Sequence, residues 1–205
     1  MKNILAVSTV AIFAAGAALA GSLEPVAVDT APYAIPASIA TDWSGFYVGG
    51  LAGIQNGDAI ANPGTPIEVV TPIDVTNYGG FAGYNFQQGS IVYGAEIAAQ
   101  MGNITAGVTT VNLDYLVDAR PRVGYAFDSV LVYAAGGYST GQMSNLGISE
   151  TFSGFNVGAG LELAVTDNFF LGGEYIYRDM SGTTAGLTPF DIKTHGVQVR
   201  AGFRF

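Results

Sequence analysis

From Trp43 onward, apolar residues recur at every second position, the repeat of a strand with two unlike faces. Across 115–127 one face reads Tyr115, Val117, Ala119, Pro121, Val123, Tyr125 and Phe127, and the other Leu116, Asp118, Arg120, Arg122, Gly124 and Ala126. Val197, Val199, Ala201, Phe203 and Phe205 alternate in the same way with Gln198, Arg200, Gly202 and Arg204. So do Phe155, Val157, Ala159, Leu161, Leu163 and Val165 with Asn156, Gly158, Gly160, Glu162 and Ala164. The pattern predicts eight strands, at 44–55, 78–87, 91–101, 115–127, 130–140, 153–165, 169–179 and 194–205. Each has about the length a tilted strand needs to cross a bilayer. After Trp43 no run of eighteen apolar residues is free of charges and turn signals, which excludes helical spans.

The connections alternate in length. Gln88-Gly89-Ser90, Asp128-Ser129 and Thr166-Asp167-Asn168 carry turn chemistry and are short. Those through 57–77, 102–114, 141–152 and 180–193 are long and read as outward loops, the asymmetry of membrane barrels. A half-buried strand of a soluble protein also alternates, and a soluble lipocalin-like barrel is the competing fold. That barrel turns its apolar face inward. Here aromatics bracket the apolar face at both strand ends, as headgroup-level girdles do. Phe46, Tyr84, Phe86, Tyr93, Tyr125, Phe127, Tyr133, Phe169, Phe203 and Phe205 are expected in an outer ring near the short turns, and Tyr78, Tyr115, Phe155 and Tyr177 at the opposite rim.

The N-terminal residues follow another rule. Lys2, an apolar run from Ile4 to Ala17, and Ala18-Leu19-Ala20 before Gly21 form a secretory signal over 1–20, too short for a spanning helix. Residues 21–42, with Pro25, Pro32 and Pro36, read as an extended periplasmic leader, and 43–205 as one barrel.

Composition sharpens this picture. Only 11% of the 205 residues are charged, against ~25% in soluble domains. With no Cys, a disulfide scaffold, a thiolate metal site, a thiol nucleophile and a lipid attached through an N-terminal cysteine are all excluded. Net charge is −9, and loss of Lys2 leaves six basic residues against sixteen acidic, so nucleic acid is not an expected partner.

The polar face carries the candidate chemistry. Glu96, Asp118, Glu162 and Glu174 with Arg120, Arg122, Arg178, Arg200 and Arg204 are expected to point into the lumen as an ion-pair network. An eight-stranded barrel has room only for side chains, and an unpaired buried charge is costly. Glu96 with Arg122, and Glu174 with Arg200, lie at similar heights on neighbouring strands and are expected to touch. A salt-bridged plug is the reading, with a narrow polar conduit as its alternative. His195 has Lys193 and Val197 as same-face neighbours, neither a nucleophile nor an orienting acid, so it reads as a solvated side chain at a strand mouth. Gly49-Gly50-Leu51-Ala52-Gly53 and Gly158-Ala159-Gly160 lack the helix a phosphate cradle needs. Asn103-Ile104-Thr105 matches a glycosylation sequon, a short motif given little weight. No catalytic, cofactor or metal residue is predicted.

Trp43-Ser44-Gly45-Phe46-Tyr47-Val48-Gly49-Gly50, Gly83-Tyr84-Asn85, Arg122-Val123-Gly124-Tyr125-Ala126-Phe127-Asp128, Val132-Tyr133-Ala134-Ala135-Gly136-Gly137 and Arg200-Ala201-Gly202-Phe203-Arg204-Phe205 together resemble the small outer-membrane β-barrel family of opacity-type surface antigens and porin-like proteins. The resemblance implies an all-β, eight-stranded, antiparallel, up-and-down transmembrane barrel in a Gram-negative outer membrane. It also implies a terminal Phe205 read by the barrel-assembly machinery. Pro121 departs from a regular strand and should interrupt one ladder bond or mark a bulge. The function expected is structural and surface-exposed, without catalysis, with a small-solute porin as the alternative and a lipid-modifying enzyme as a remote one. Expected partners are outer-membrane lipid and the assembly machinery, with a host, phage or envelope component at the loops. Oligomeric state is left open.

Overall fold

The computed structural model describes residues 41–145, 148–184 and 188–205. The signal segment 1–20 and nearly all of the leader 21–42 lie outside the described residues. Eight strands follow in order: β1 (Gly45–Ala61), β2 (Val69–Gln88), β3 (Ile91–Ala106), β4 (Thr109–Phe127), β5 (Val130–Asn145), β6 (Ile148–Ala164), β7 (Phe169–Thr183) and β8 (Pro189–Arg204). Every strand pairs antiparallel with its sequence neighbour, and β1 pairs with β8 to close the barrel. Closure removes both sheet edges.

The strands run past their predicted ends. They are 15 residues long in β7 and 20 in β2, well beyond the ~10 that cross a bilayer. Most of the segments read as long loops are therefore hairpin extensions. The β1–β2 connection shrinks to 62–68, and the β3–β4 connection to Gly107-Val108, with Gly107 at φ 59°. Their Gly, Pro, Thr and acidic content suggested loops, but antiparallel pairing satisfies the backbone there while most of the polar side chains point outward to water, Asn77 being an inward exception.

Pro121 breaks the ladder without changing its register. It pairs with Ala95 of β3, while the pairing to β5 lapses at Arg120 and Pro121 and resumes in the same frame between Arg122 and Ala135. The register shift lies elsewhere, at Asp114–Tyr115, where both neighbours of β4 slip by one residue. There two successive side chains face outward, and the inward set changes from Leu113 to Leu116, as a bulge requires.

Outside, the barrel is apolar between two aromatic bands. Near the short turns, Phe46 meets Tyr84 with ring centroids 4.8 Å apart, Phe86 meets Tyr93 at 5.5 Å, and Phe169 meets Phe203 at 5.5 Å. Tyr78, Tyr115, Phe155 and Tyr177 lie on the other band, joined by Tyr138 and Tyr175. Tyr133 corrects the expectation: it is inside, 3% exposed, and not part of the outer ring. The two faces of β5 read Leu131, Tyr133, Ala135 and Val132, Ala134, Gly136, equally apolar, so alternation alone could not orient the strand.

The lumen is stratified. At the short-turn end Trp43, Val92, Leu131 and Phe170 form an apolar floor. At the hairpin end Ile73, Ile104, Leu113, Leu116, Phe152, Met180, Phe190 and Ile192 belong to a second apolar cluster. Most of the buried polar and charged side chains are held between the two; Arg204 is at the floor.

Candidate functional site: a charged layer inside the barrel

β3, β4, β6, β7 and β8 each contribute alternate residues to the charged layer, because a strand of period two brings every second side chain inside. Among the described residues Glu96, Asp118, Arg120, Arg122, Glu162, Glu174, Arg178, Arg200 and Arg204 are all inward and buried. They divide into three groups.

Three carboxylates and three guanidiniums form the largest. Arg120 donates to Glu96 at 2.8 Å and makes a two-pronged contact with Glu174. Arg122 donates to Glu162 at 2.9 Å and Glu96 at 3.3 Å. Arg200 donates to Glu174 at 2.9 Å and to Glu96, and its Nε lies 3.2 Å from Glu162. Glu96–Arg122 and Glu174–Arg200 are thus in contact, but each is one edge of a shared lattice. Sharing lowers the cost, because the Arg fork meets two carboxylates while held in one rotamer.

Asp118 and Arg178 form a separate pair at 2.6 Å. Asp118 also accepts bonds from Ser139 and Gln100, both at 2.7 Å. Arg178 donates to Gln55 at 2.9 Å, and Thr194 donates to the same Gln55 oxygen at 3.1 Å. Asn77 donates to Gln100, and Asn156 to Ser139, which extends the belt around the barrel.

Arg204 stands apart from every carboxylate of the network. It donates to the backbone carbonyls of Asp42 at 2.6 Å and Asp167 at 2.8 Å, and its guanidinium lies 4.4 Å from the centre of the Trp43 ring. It fastens the chain entering β1 beneath the barrel floor. The surplus base in the lumen, five against four, is this residue, and both remaining groups balance. Outside the strands, the Ser44 backbone and hydroxyl hold the Asp42 carboxyl below its ordinary range.

Two tyrosines complete the layer and were not foreseen. The Tyr47 hydroxyl donates to Glu96 at 3.0 Å and accepts from Arg122 at 3.1 Å. Tyr133 donates to Glu174 at 2.5 Å and accepts from Arg200 at 3.1 Å. Its ring also stacks under Arg122, 3.9 Å from the guanidinium carbon. Tyr47 was recoverable from its spacing with Gln55 on β1; Tyr133 carried no such signal. His195 lies on the outward face beside Tyr175, ring centroids 6.4 Å apart. Phe205 is exposed, and its amide donates to the Phe46 carbonyl.

A closed barrel with an apolar exterior and a charged interior inverts the soluble arrangement, and residues 10–205 match the family model described as outer membrane protein beta-barrel domain. The chain belongs to that family. It is 32% identical over 247 residues to the 31 kDa outer-membrane immunogenic protein of Brucella melitensis, with all of both chains covered. To the 22 kDa outer membrane protein of Rhizobium leguminosarum it is 33% identical, over 70% of this chain and 67% of the relative. Neisserial surface protein A is a solved structure of the same fold, at TM-score 0.55 and 20% identity, covering 79% of this chain and 98% of that one. The protein is an integral outer-membrane β-barrel with a structural, surface-exposed role, and salt bridges fill its interior. The aromatic bands therefore mark the two membrane interfaces, and the hairpin extensions rise above the outer one.

Proposed function

We propose that the barrel is non-catalytic and does not conduct, and that it serves the envelope as a rigid scaffold displaying its outer hairpins. The carrying observation is the cluster of Glu96, Glu162 and Glu174 with Arg120, Arg122 and Arg200, whose side chains are no more than 2% exposed. It stands across a lumen that eight strands leave just wide enough for side chains, between apolar clusters at either end. The non-catalytic reading is supported by the outward position of His195 and by the Arg partners of each carboxylate in the charged layer. Outer-membrane lipid would solvate the apolar band. Exposed Phe205 would be read by the barrel-assembly machinery. A host, phage or envelope component would meet the hairpins, in keeping with the immunogenic relatives.

Planar-bilayer recording of the refolded mature chain tests this. The wild type is expected to show no steady conductance, while Arg122→Ala or Arg200→Ala opens a polar gap and raises it. Stable, ion-selective wild-type conductance, unaltered by either substitution, would replace this reading with that of a small-solute porin. Incubation with phospholipid or lipopolysaccharide vesicles is expected to release no acyl chain.

A further inference from the structure

The outer end of the lumen holds a cavity of about 250 Å³ above the upper apolar cluster. Ile73, Ile104, Phe190 and Ile192 form its base and Met143 and Val111 part of its wall. This end stands in the water-facing extension of the strands, where neither lipid contact nor the charged layer calls for apolar lining. An apolar cavity gives water few of the 2–4 polar partners it needs. Its base is closed by packed side chains, so whatever enters must leave the same way.

We propose that this vestibule binds a single-chain cationic amphiphile, the aliphatic tail in the cavity and an ammonium headgroup at Glu150. The tail follows from the lining and the size, which falls below the ~300–1,000 Å³ of sites for drug-sized ligands. The headgroup follows from charge. Among the described residues Glu150 is the one charged residue lining the cavity, and its carboxylate makes no hydrogen bond or ion pair with another described side chain. Around it the outer part carries Asp58, Glu68, Asp74, Asp114, Asp179 and Asp191 against the single ammonium of Lys193, itself 3.5 Å from Asp179. Such a field concentrates cations at the mouth and repels fatty-acid carboxylates and lipid phosphates.

Methyl NMR tests the proposal on the full mature chain, labelled at Ile and Met and held in zwitterionic nanodiscs. Octyltrimethylammonium is expected to shift the Ile73, Ile104, Ile192 and Met143 methyls saturably, whereas octanoate at equal concentration leaves them unmoved. Glu150→Gln should weaken the cation by about fivefold, the scale of a half-exposed ion pair. Ala106→Phe, which fills the cavity, should abolish binding. Should that variant fail to fold, a spin label on the tail must broaden Ile73 before lipid-facing Ile54 in the wild type. Shifts confined to Ile54 and Ile97 would mean partition into lipid only, and equal binding of octanoate would remove the charge argument. Either result overturns the proposal.

Discussion

Arg200→Met removes the guanidinium that touches all three carboxylates of the central cluster and keeps most of the apolar stem that packs near Phe81, whose ring centre lies 4.1 Å from the guanidinium carbon. Three buried carboxylates would then face two guanidiniums. Breaking a buried ion pair by removing one partner costs about 3 to 5 kcal/mol, since the charge left behind has neither water nor a counter-ion. Arg120 and Arg122 still reach Glu96, Glu162 and Glu174, which places the loss near 3 kcal/mol on the same scale. Adding Glu96→Gln restores charge balance, so the double variant should be more stable than the sum of the single losses by roughly 1 to 3 kcal/mol. Urea unfolding in lipid vesicles provides the assay, read by Trp43, the sole tryptophan, fully buried at the barrel floor. Folded and unfolded forms separated by gel mobility give an independent reading. A loss below about 1 kcal/mol for Arg200→Met, with Glu96→Gln simply additive, would refute the account of the layer as an interdependent ion-pair lattice.

Tyr133→Phe keeps the ring under Arg122 but deletes the hydroxyl between Glu174 and Arg200, and should cost about 1.5 to 3 kcal/mol in the same assay, as for a bond to a charged group. Asp118→Asn strips Arg178 of its only ion-pair partner among the described residues and should cost about 3 kcal/mol. Its effect should add to that of Arg200→Met, because no salt bridge joins the two groups. Trp43→Ala leaves a void beneath Phe170 and takes away the ring against which Arg204 stacks, with an expected loss of about 3 to 5 kcal/mol by gel mobility. An epitope inserted between Gly64 and Thr65 should be labelled on intact cells and one at Gly89 should not; the reverse would invert the topology.

The sequence by itself determined the barrel, its strand order, the direction of its faces and the inward position of all five arginines. Alternation does this wherever one face is charged and the other apolar, because a strand rotated by one residue would put Arg120 and Arg122 into lipid. Where both faces are alike the signal vanishes, and β5 turned Tyr133 inward only because pairing with β4 and β6 fixed its register. Tertiary structure also decided how far the strands continue. Backbone pairing costs nothing in side-chain hydrophobicity, so segments whose Gly, Pro, Thr and acidic content read as loops became hairpins. The bulge at Asp114–Tyr115 reversed the parity of β4 and brought Leu113 inside, and with it came the upper apolar cluster and the vestibule. Which carboxylate shares which guanidinium is likewise a property of the closed barrel. Arg120 and Glu174 are 54 residues apart and not on adjacent strands, and they meet only because the sheet curves until its opposite walls are one side chain apart.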